Sequence, residues 1–449
     1  MSKIEKFRPA LHLTPSAGWM NDPNGLIVVD GVYHAFFQHD PHSIQHGPMH
    51  WGHATSMDLA HWTARPVALH PTDLGTCFSG SAIETERGDI RLFYTAHSKT
   101  AEGIDHQVQC LVHADRALNR FSPDPANPVI PNPGRVAFRD PKVIWHAPNG
   151  RWIMLVTEGQ SIGFYASTDL RSWTFLSSFG EGHGRHSQGP WECPDLVCLT
   201  TPGGDRAWVL VVGLNPGGYA EGSGTQYFVG EFDGTTFINA NPPETELWLD
   251  YGRDYYAAQT FFDRGSDGPP IAMAWASNWL YARATPTRTF RGSLSLPRQL
   301  TLVETVHGLR VAATVPKPVQ VSFDHLCLGK DPITPRTGTY RLSGRIRLRP
   351  DQVITIALFG EATPQMFFQR TSDREASIRL LRAHSLDMPG FGHDYDVPIG
   401  VSDELDLDIF VDNGLVELSA DGGLVWATSL YFPDEPGGQV TLRVGSAAP

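Results

Sequence analysis

The chain has 449 residues, more than a single hydrophobic core usually supports, so one large domain and one small one are expected. Hydrophobic residues make up 41% and charged residues 18%, ordinary globular values that exclude a largely disordered chain. The formal charge of -13, with no Lys/Arg-rich run, excludes a nucleic-acid surface or an anionic-membrane surface and suits a neutral ligand better than a polyanion.

The N-terminal stretch carries Lys3, Glu5, Lys6 and Arg8 with no apolar segment or small-residue cleavage site behind them, so no export signal is read and a cytoplasmic location is expected. No stretch approaches the roughly 18 apolar residues of a membrane span. The five cysteines, Cys77, Cys110, Cys193, Cys198 and Cys327, are scattered, odd in number and never spaced as CxxC, which reads as reduced thiols rather than a disulfide framework or a zinc site.

Glycine (44) and proline (35) are both frequent and aromatics reach 10%, the mixture of many short strands separated by turns. Strand-like runs without helical periodicity occur at 32–37, 90–94, 152–156, 208–212 and 271–275. The first four are each followed by a small, Asp-bearing turn closed by an aromatic: ATSMDLAHW (54–62), HADRALNRF (113–121), ASTDLRSW (166–173) and VGEFDGTTF (229–237). The closing residues Trp62, Phe121, Trp173 and Phe237 recur at intervals of about 50 to 65 residues, a blade-sized period. About five units fit before residue 300, and a β-propeller explains them because each blade is a small antiparallel sheet repeated around an axis. A pair of large sandwiches also needs many short strands but gives no reason for so long a period.

From about residue 315 the Asp-turn-aromatic element disappears and alternating strands take over at 339–348, 353–359, 405–411 and 439–444, predicting a second all-β domain with a sandwich architecture. The expected division is a propeller over 1–310 and a sandwich over 319–449, with 315–318 (VPKP) in the linker region.

Three short segments are acidic and stiffened by proline: WMNDPNG (19–25), FRDP (138–141) and WECP (191–194). A propeller brings the inner strands of its blades around one axis, so these carboxylates are candidates for one funnel. Paired carboxylates are what glycoside hydrolysis needs, one attacking the anomeric carbon while another donates a proton to the leaving oxygen and later activates water. Each segment alone reads more readily as a structural turn than as a catalytic element; three together, with tryptophans nearby, shift the reading toward a site.

In order along the chain, WMNDPNG (19–25), FFQHDP (36–41), HWGHATSMDLAHW (50–62), CFSGSA (77–82), FRDPKV (138–143), WECPDL (191–196), GSGTQYFVGEFDGTTF (222–237), DYYAAQTF (254–261) and RGSLSLPRQL (291–300) resemble the motifs of glycoside hydrolase family 32, the β-fructofuranosidases that include invertases, exo-inulinases and levanases. The resemblance spans nearly the whole chain. It implies a five-bladed propeller followed by a sandwich, with Asp22 as nucleophile, Asp140 as transition-state stabiliser and Glu192 as general acid/base. It further implies that Asn21, Gln38, Trp51, Ser79 and Arg139 line the terminal fructosyl subsite, with Phe78 and Trp275 as further candidates for sugar contact. Retention of configuration would place the Asp22 and Glu192 carboxyls about 5 to 5.5 Å apart. Negative charge at Asp22 and Asp140 would keep Glu192 protonated, predicting a mildly acidic to neutral optimum.

No cofactor is implied. His34, His39, His42, His46, His50 and His53 cluster in sequence but match no metal-ligand spacing, so no metal is expected. The motif around 212–228 is more similar to exo-inulinases and levanases than to sucrose-phosphate hydrolases, and no basic cluster stands beside it for a phosphorylated substrate. The resulting expectation is an exo-acting fructan β-fructosidase acting on a small sugar substrate. A fructosyltransferase of the same fold and a non-catalytic fructan-binding relative are the alternatives, and retention of all three carboxylates speaks against the second. Residues 369–398 match the family pattern poorly and read as a surface loop or a subunit contact; oligomeric state stays open.

Overall fold

In the computed structural model the described residues are 5–350, 352–360, 362–372, 375–382, 388–433 and 438–446. Residues 1–4 of the N-terminal stretch and parts of the 369–398 stretch therefore lie outside them. Five sheets of antiparallel strands follow one another along the chain. Blade I comprises Gly18–Val29, Val32–Asp40, His50–Ser56 and Thr63–Leu69; blade II Thr76–Glu84, Ile90–Lys99, Asp105–Ala114 and Phe121–Pro123. Blade III comprises Phe138–His146, Arg151–Glu158, Ile162–Ser167 and Thr174–Phe179; blade IV Trp191–Thr200, Arg206–Leu214, Gly224–Phe232 and Phe237–Asn239. Blade V comprises Tyr256–Thr260, Ile271–Trp275, Arg298–Thr305 and Gly308–Thr314. The first strand of each blade touches the first strand of the next, and that of blade V touches that of blade I, so these five strands form the inner ring. A two-residue strand that lies in sequence between the second and third strands of blade V, Phe290–Arg291, joins the sheet of blade I, pairing in parallel with Gly18 and Trp19, and closes the circle. The all-β architecture is the one the sequence repeat pointed to.

The repeat has a local chemical cause. In blades I and III the Asp of the turn caps the chain reversal: Asp58 Oδ1 accepts from the backbone N–H groups of Ala60 (2.9 Å) and His61 (2.8 Å), and Asp169 Oδ1 from those of Arg171 (2.9 Å) and Ser172 (2.7 Å). Leu59, Leu118 and Leu170 take left-handed φ values of 66°, 54° and 66° at the matching place in blades I to III. The closing aromatics begin the outermost strands (Phe121, Phe237) or directly precede them (Trp62, Trp173), and the Trp62 and Trp173 indoles donate back to the carbonyls of Leu59 and Leu170.

After Thr314 a short helix, Lys317–Ser322, leads into two five-stranded sheets packed face to face. Ile356, Met366, Phe368, Ile378 and Val397 of one sheet meet Tyr340, Leu342, Ile409, Val411 and Leu418 of the other in a dry core. Alternation along Thr339–Arg347 and Glu404–Asp412 is what fills it, as the sequence pattern required.

The seam between propeller and sandwich holds buried charge. His12 meets Asp412 (2.8 Å) and Glu417 (3.1 Å), and Arg298 of blade V meets Glu417 (2.5 Å) and Asp250 (2.9 Å), every side chain essentially without solvent contact. Asp254 of the propeller is paired with Arg382 of the sandwich in the same way. Such pairs add little net stability over an apolar seam, but each is costly to break, because one charge would be left buried alone. The stretch expected to be a loop or subunit contact serves this seam: Phe391 is fully buried, edge-on to Tyr281, and Arg382 reaches Asp254 beside it.

Candidate active site

The site is built by one backbone irregularity used five times. In every inner strand two residues stand opposite one on the second strand: Asn21–Asp22 opposite Gln38, 78–79 opposite Thr95, 140–141 opposite Val156, 193–194 opposite Val212, and 257–258 opposite Ala274. Such a bulge inserts a residue, bends the strand and re-aims its side chains. In blades III, IV and V the first bulge residue is Asp140, Cys193 or Ala257, with φ of 63°, 48° and 53°, a conformation L residues adopt at a cost and one that clusters at functional sites. Proline follows Asp140 and Cys193, tolerated because a bulge residue has no partner to donate to.

The bulges bring the three predicted carboxylates together around Cys193. Its thiol sulfur lies 3.5 Å from Asp22 Oδ2 and 3.6 Å from Asp140 Oδ2, and its backbone N–H donates to Asp140 Oδ2 at 3.0 Å. Ser79 Oγ donates to Asp22 Oδ2 at 3.2 Å, while Asp22 Oδ1 is buried with no hydrogen-bond partner. Arg139 Nη2 donates to Glu192 Oε1 at 2.8 Å, and the Tyr256 hydroxyl donates to Glu192 Oε2. Arg139 Nε also lies 3.8 Å from Asp140 Oδ2, so one guanidinium faces both carboxylates. Glu192 and Arg139 keep 19% and 15% of their side-chain surface in solvent, so the constellation opens on their side.

Burial sets the electrostatics. Asp22 is pushed up to about 7, first by burial and then by the charges of Asp140 and Glu192, with the Asn21 amide and the Cys193 thiol pulling the other way. Asp140 is pushed up to about 6, mainly by burial, with Arg139 opposing. Two carboxylates this close to each other titrate as a pair, each discouraging the other's ionisation. Cys193 is raised well above its ordinary value by burial and the carboxylates around it, so it is a neutral S–H donor and not a nucleophile.

The remaining predicted residues form the frame. Gln38 Nε2 donates to Asn24 Oδ1 (2.8 Å), and Asn24 Nδ2 in turn donates to the Asp22 carbonyl (2.6 Å), fixing the strand that carries the nucleophile candidate. Asn21 Oδ1 accepts from the Trp19 indole at 2.7 Å. Trp51 is fully buried and donates to the Phe78 carbonyl at 2.9 Å, so it backs the 78–79 bulge instead of presenting an open wall. Phe78 is half-buried and stacks on His97, with centroids 4.2 Å apart. Trp275, paired with Tyr256 across blade V, is fully buried among Trp19, Tyr256 and Trp279.

Two participants escaped the sequence reading. Tyr256 lies inside the DYYAAQTF motif with nothing to single it out, and Cys193 reads in the sequence only as one of five scattered thiols. The histidine cluster disperses: His34 and His53 bond each other at 3.0 Å, while His39 and His50 bond the carbonyls of Trp19 and Pro48. Among the described residues no group of three His, Cys, Asp or Glu side chains is arranged to hold a metal.

The family models for the glycosyl hydrolases family 32 N-terminal domain and C terminal match residues 12–312 and 308–448. The chain belongs to glycoside hydrolase family 32. Family 32 relatives include a levanase of Bacillus subtilis, 37% identical over 96% of this chain and 67% of the relative, and an extracellular exo-inulinase of Aspergillus niger, 33% identical over 96% and 90%. Among solved structures, the exo-inulinase of Aspergillus awamori superposes with a TM-score of 0.81 at 29% identity, covering 99% of this chain and 96% of that one. The β-fructofuranosidase of Schwanniomyces occidentalis, solved with fructosyl-erythritol, gives 0.82 at 27% identity, covering 98% and 94%. This family 32 member is a glycoside hydrolase.

Proposed function

We propose that this enzyme is a retaining, exo-acting β-fructofuranosidase that removes terminal β-D-fructofuranosyl units from fructo-oligosaccharides, inulin- or levan-type fructans and sucrose. The observation that carries the reading is the convergence of Asp22, Asp140 and Glu192 from three blades around Cys193 and Arg139. The levanase, exo-inulinase and fructofuranosidase relatives support the substrate class.

In the first step Asp22 forms a bond to the anomeric carbon as the glycosidic C–O bond breaks, and Glu192 gives its proton to the departing oxygen. In the second, Glu192 takes a proton from water as the water oxygen attacks that carbon and releases Asp22. Asp140 lies across the Cys193 thiol from Asp22, and its charge stabilises the positive charge developing on the sugar ring. Asn21, Gln38, Ser79 and Arg139 hold the reacting groups in place, the half-buried Phe78 supplies aromatic surface beside them, and the fully buried Trp275 backs Tyr256 from behind.

Product chromatography tests the reading. Wild type and Glu192→Ala are incubated with sucrose, an inulin-type oligomer and a levan-type oligomer. Fructose released stepwise by the wild type and lost in the variant is the expected result. Longer oligomers would identify a transferase, and binding without turnover would overturn the enzymatic assignment.

A further inference from the structure

The two oxygens of Glu192 have different partners. Oε1 accepts from Arg139 Nη2 at 2.8 Å, and Oε2 accepts from the Tyr256 hydroxyl. A guanidinium is a permanent cation that only donates, so an oxygen it holds cannot also carry a proton toward it without clash and repulsion. A phenol donates a single hydrogen and leaves the second lone pair of its acceptor available. Oε2 is therefore the oxygen on which a transferable proton can reside while the hydrogen bond to Tyr256 persists.

Tyr256 is held for this contact from both sides. Its ring lies over Gly213, the residue paired with Glu192 across blade IV, where an added Cβ would stand 2.8 Å from ring carbon Cε2. Two residues before it, Asp254 accepts from Tyr281 Oη (2.8 Å), from Arg382 and from the backbone N–H of Leu430 (2.8 Å), and Asp250 accepts from the N–H and hydroxyl of Thr428 at 2.9 and 2.6 Å. Arg382, Thr428 and Leu430 belong to the sandwich, so the second domain clamps the strand start that delivers Tyr256. Burial and the neighbouring carboxylate hold the phenol well above its ordinary range, so it keeps its proton.

Resting on the fructosidase reading above, we propose that Tyr256 is the positioning residue for acid catalysis: it fixes Oε2 of Glu192 as the oxygen that delivers the proton to the leaving group. In fructosyl transfer to Asp22 the Oε2–H bond breaks as an O–H bond forms on the leaving oxygen. The negative charge left on Oε2 is met at once by the Tyr256 hydroxyl, which itself neither gains nor loses a proton.

The test compares kcat/KM of wild type and Tyr256→Phe on sucrose and on an aryl β-fructofuranoside, whose phenolate leaving group departs without protonation; kcat/KM reports only the steps through fructosyl transfer. Tyr256→Phe keeps the ring packed on Gly213. The expected result is a loss of about tenfold or more on sucrose, with KM within about twofold, and a loss of under about threefold on the aryl substrate. The alkaline limb of the sucrose profile moves to higher pH, because a donor that favours the ionised carboxylate is gone. Replacing Tyr256 by a fluorotyrosine, a stronger donor of the same shape, moves that limb to lower pH and serves as the second variant should the phenylalanine one not fold. Equal losses on both substrates, or an unmoved pH limb in the variant that folds, overturn the proposal. A wild type inactive on both substrates overturns the fructosidase reading itself, and the proposal with it.

Discussion

The thiol of Cys193 points at Asp22, sulfur to Oδ2 at 3.5 Å, and so stands between the nucleophile candidate and Asp140 on its other side. Removing that donor leaves both carboxylates less satisfied when ionised, which discourages ionisation. Cys193→Ala is expected to lower kcat/KM several-fold and to move the acid limb of its pH profile upward by about half a unit. Cys193→Ser, which restores a donor, keeps the limb near the wild-type position. An unmoved limb in the alanine variant would remove the thiol from the electrostatic account.

Asp22 binds its proton more tightly in the folded chain than in the unfolded one, because its value is raised to about 7 from an ordinary 3.8. Stability from this group therefore falls as pH rises through that window, the reverse of a salt-bridged aspartate. Asp22→Asn removes the costly charge and with it the activity. It is expected to be more stable than wild type by about 1 to 3 kcal/mol at pH 8 and nearly equal at pH 4. Denaturant midpoints at the two pH values measure this; equal gains at both would contradict it.

His12 behaves in the opposite sense. Burial lowers it, but hydrogen bonds to Asp412 and Glu417 prevail and raise it to about 9, while both carboxylates are depressed. The histidine's contribution is complete below pH 6.5 and is lost as pH rises through 9; the carboxylates' contribution is present above their ordinary range near 4 and is lost in acid. His12→Gln is expected to destabilise by about 3 to 5 kcal/mol at pH 6, leaving buried carboxylates without their cation, and by much less at pH 10. Thermal melts of both proteins across that range decide it.

Gly213 has room for no side chain: a Cβ there meets Tyr256 Cε2 at 2.8 Å and Cζ at 3.2 Å. Gly213→Ala displaces the ring from Glu192 and is expected to lower kcat on sucrose about tenfold while the chain still folds. Full activity in this variant would show that the ring can move aside and keep its hydrogen bond.

The blade period was legible because its turns are chemical: Asp58 and Asp169 must sit where they do to satisfy the reversing backbone, so the spacing survives in the sequence. The sandwich was legible because alternation along 339–347 and 404–412 has one buried face. The bulges were not, since a two-against-one step leaves no compositional trace beyond a proline after Asp140 and Cys193. Trp51 and Trp275 could be placed near the site but not oriented, because a tryptophan that backs a bulge and one that faces a sugar look alike in sequence. Tyr256 was hidden for a related reason: its partner Glu192 lies 64 residues earlier and is met only when blades IV and V are set side by side.

The repeated bulge also fixes what the inner strands can tolerate over evolutionary time. Side chains in a strand alternate between two faces, and the extra residue at 21–22, 78–79, 140–141, 193–194 or 257–258 resets that parity, with a second reset at 25–26 in blade I. Deleting a single codon there would restore a regular ladder and turn every side chain on one side of the deletion to the opposite face, axis residues into the blade core and core residues onto the axis. A length change in an inner strand would thus dismantle the site, whereas the turns between strands can absorb one without moving it.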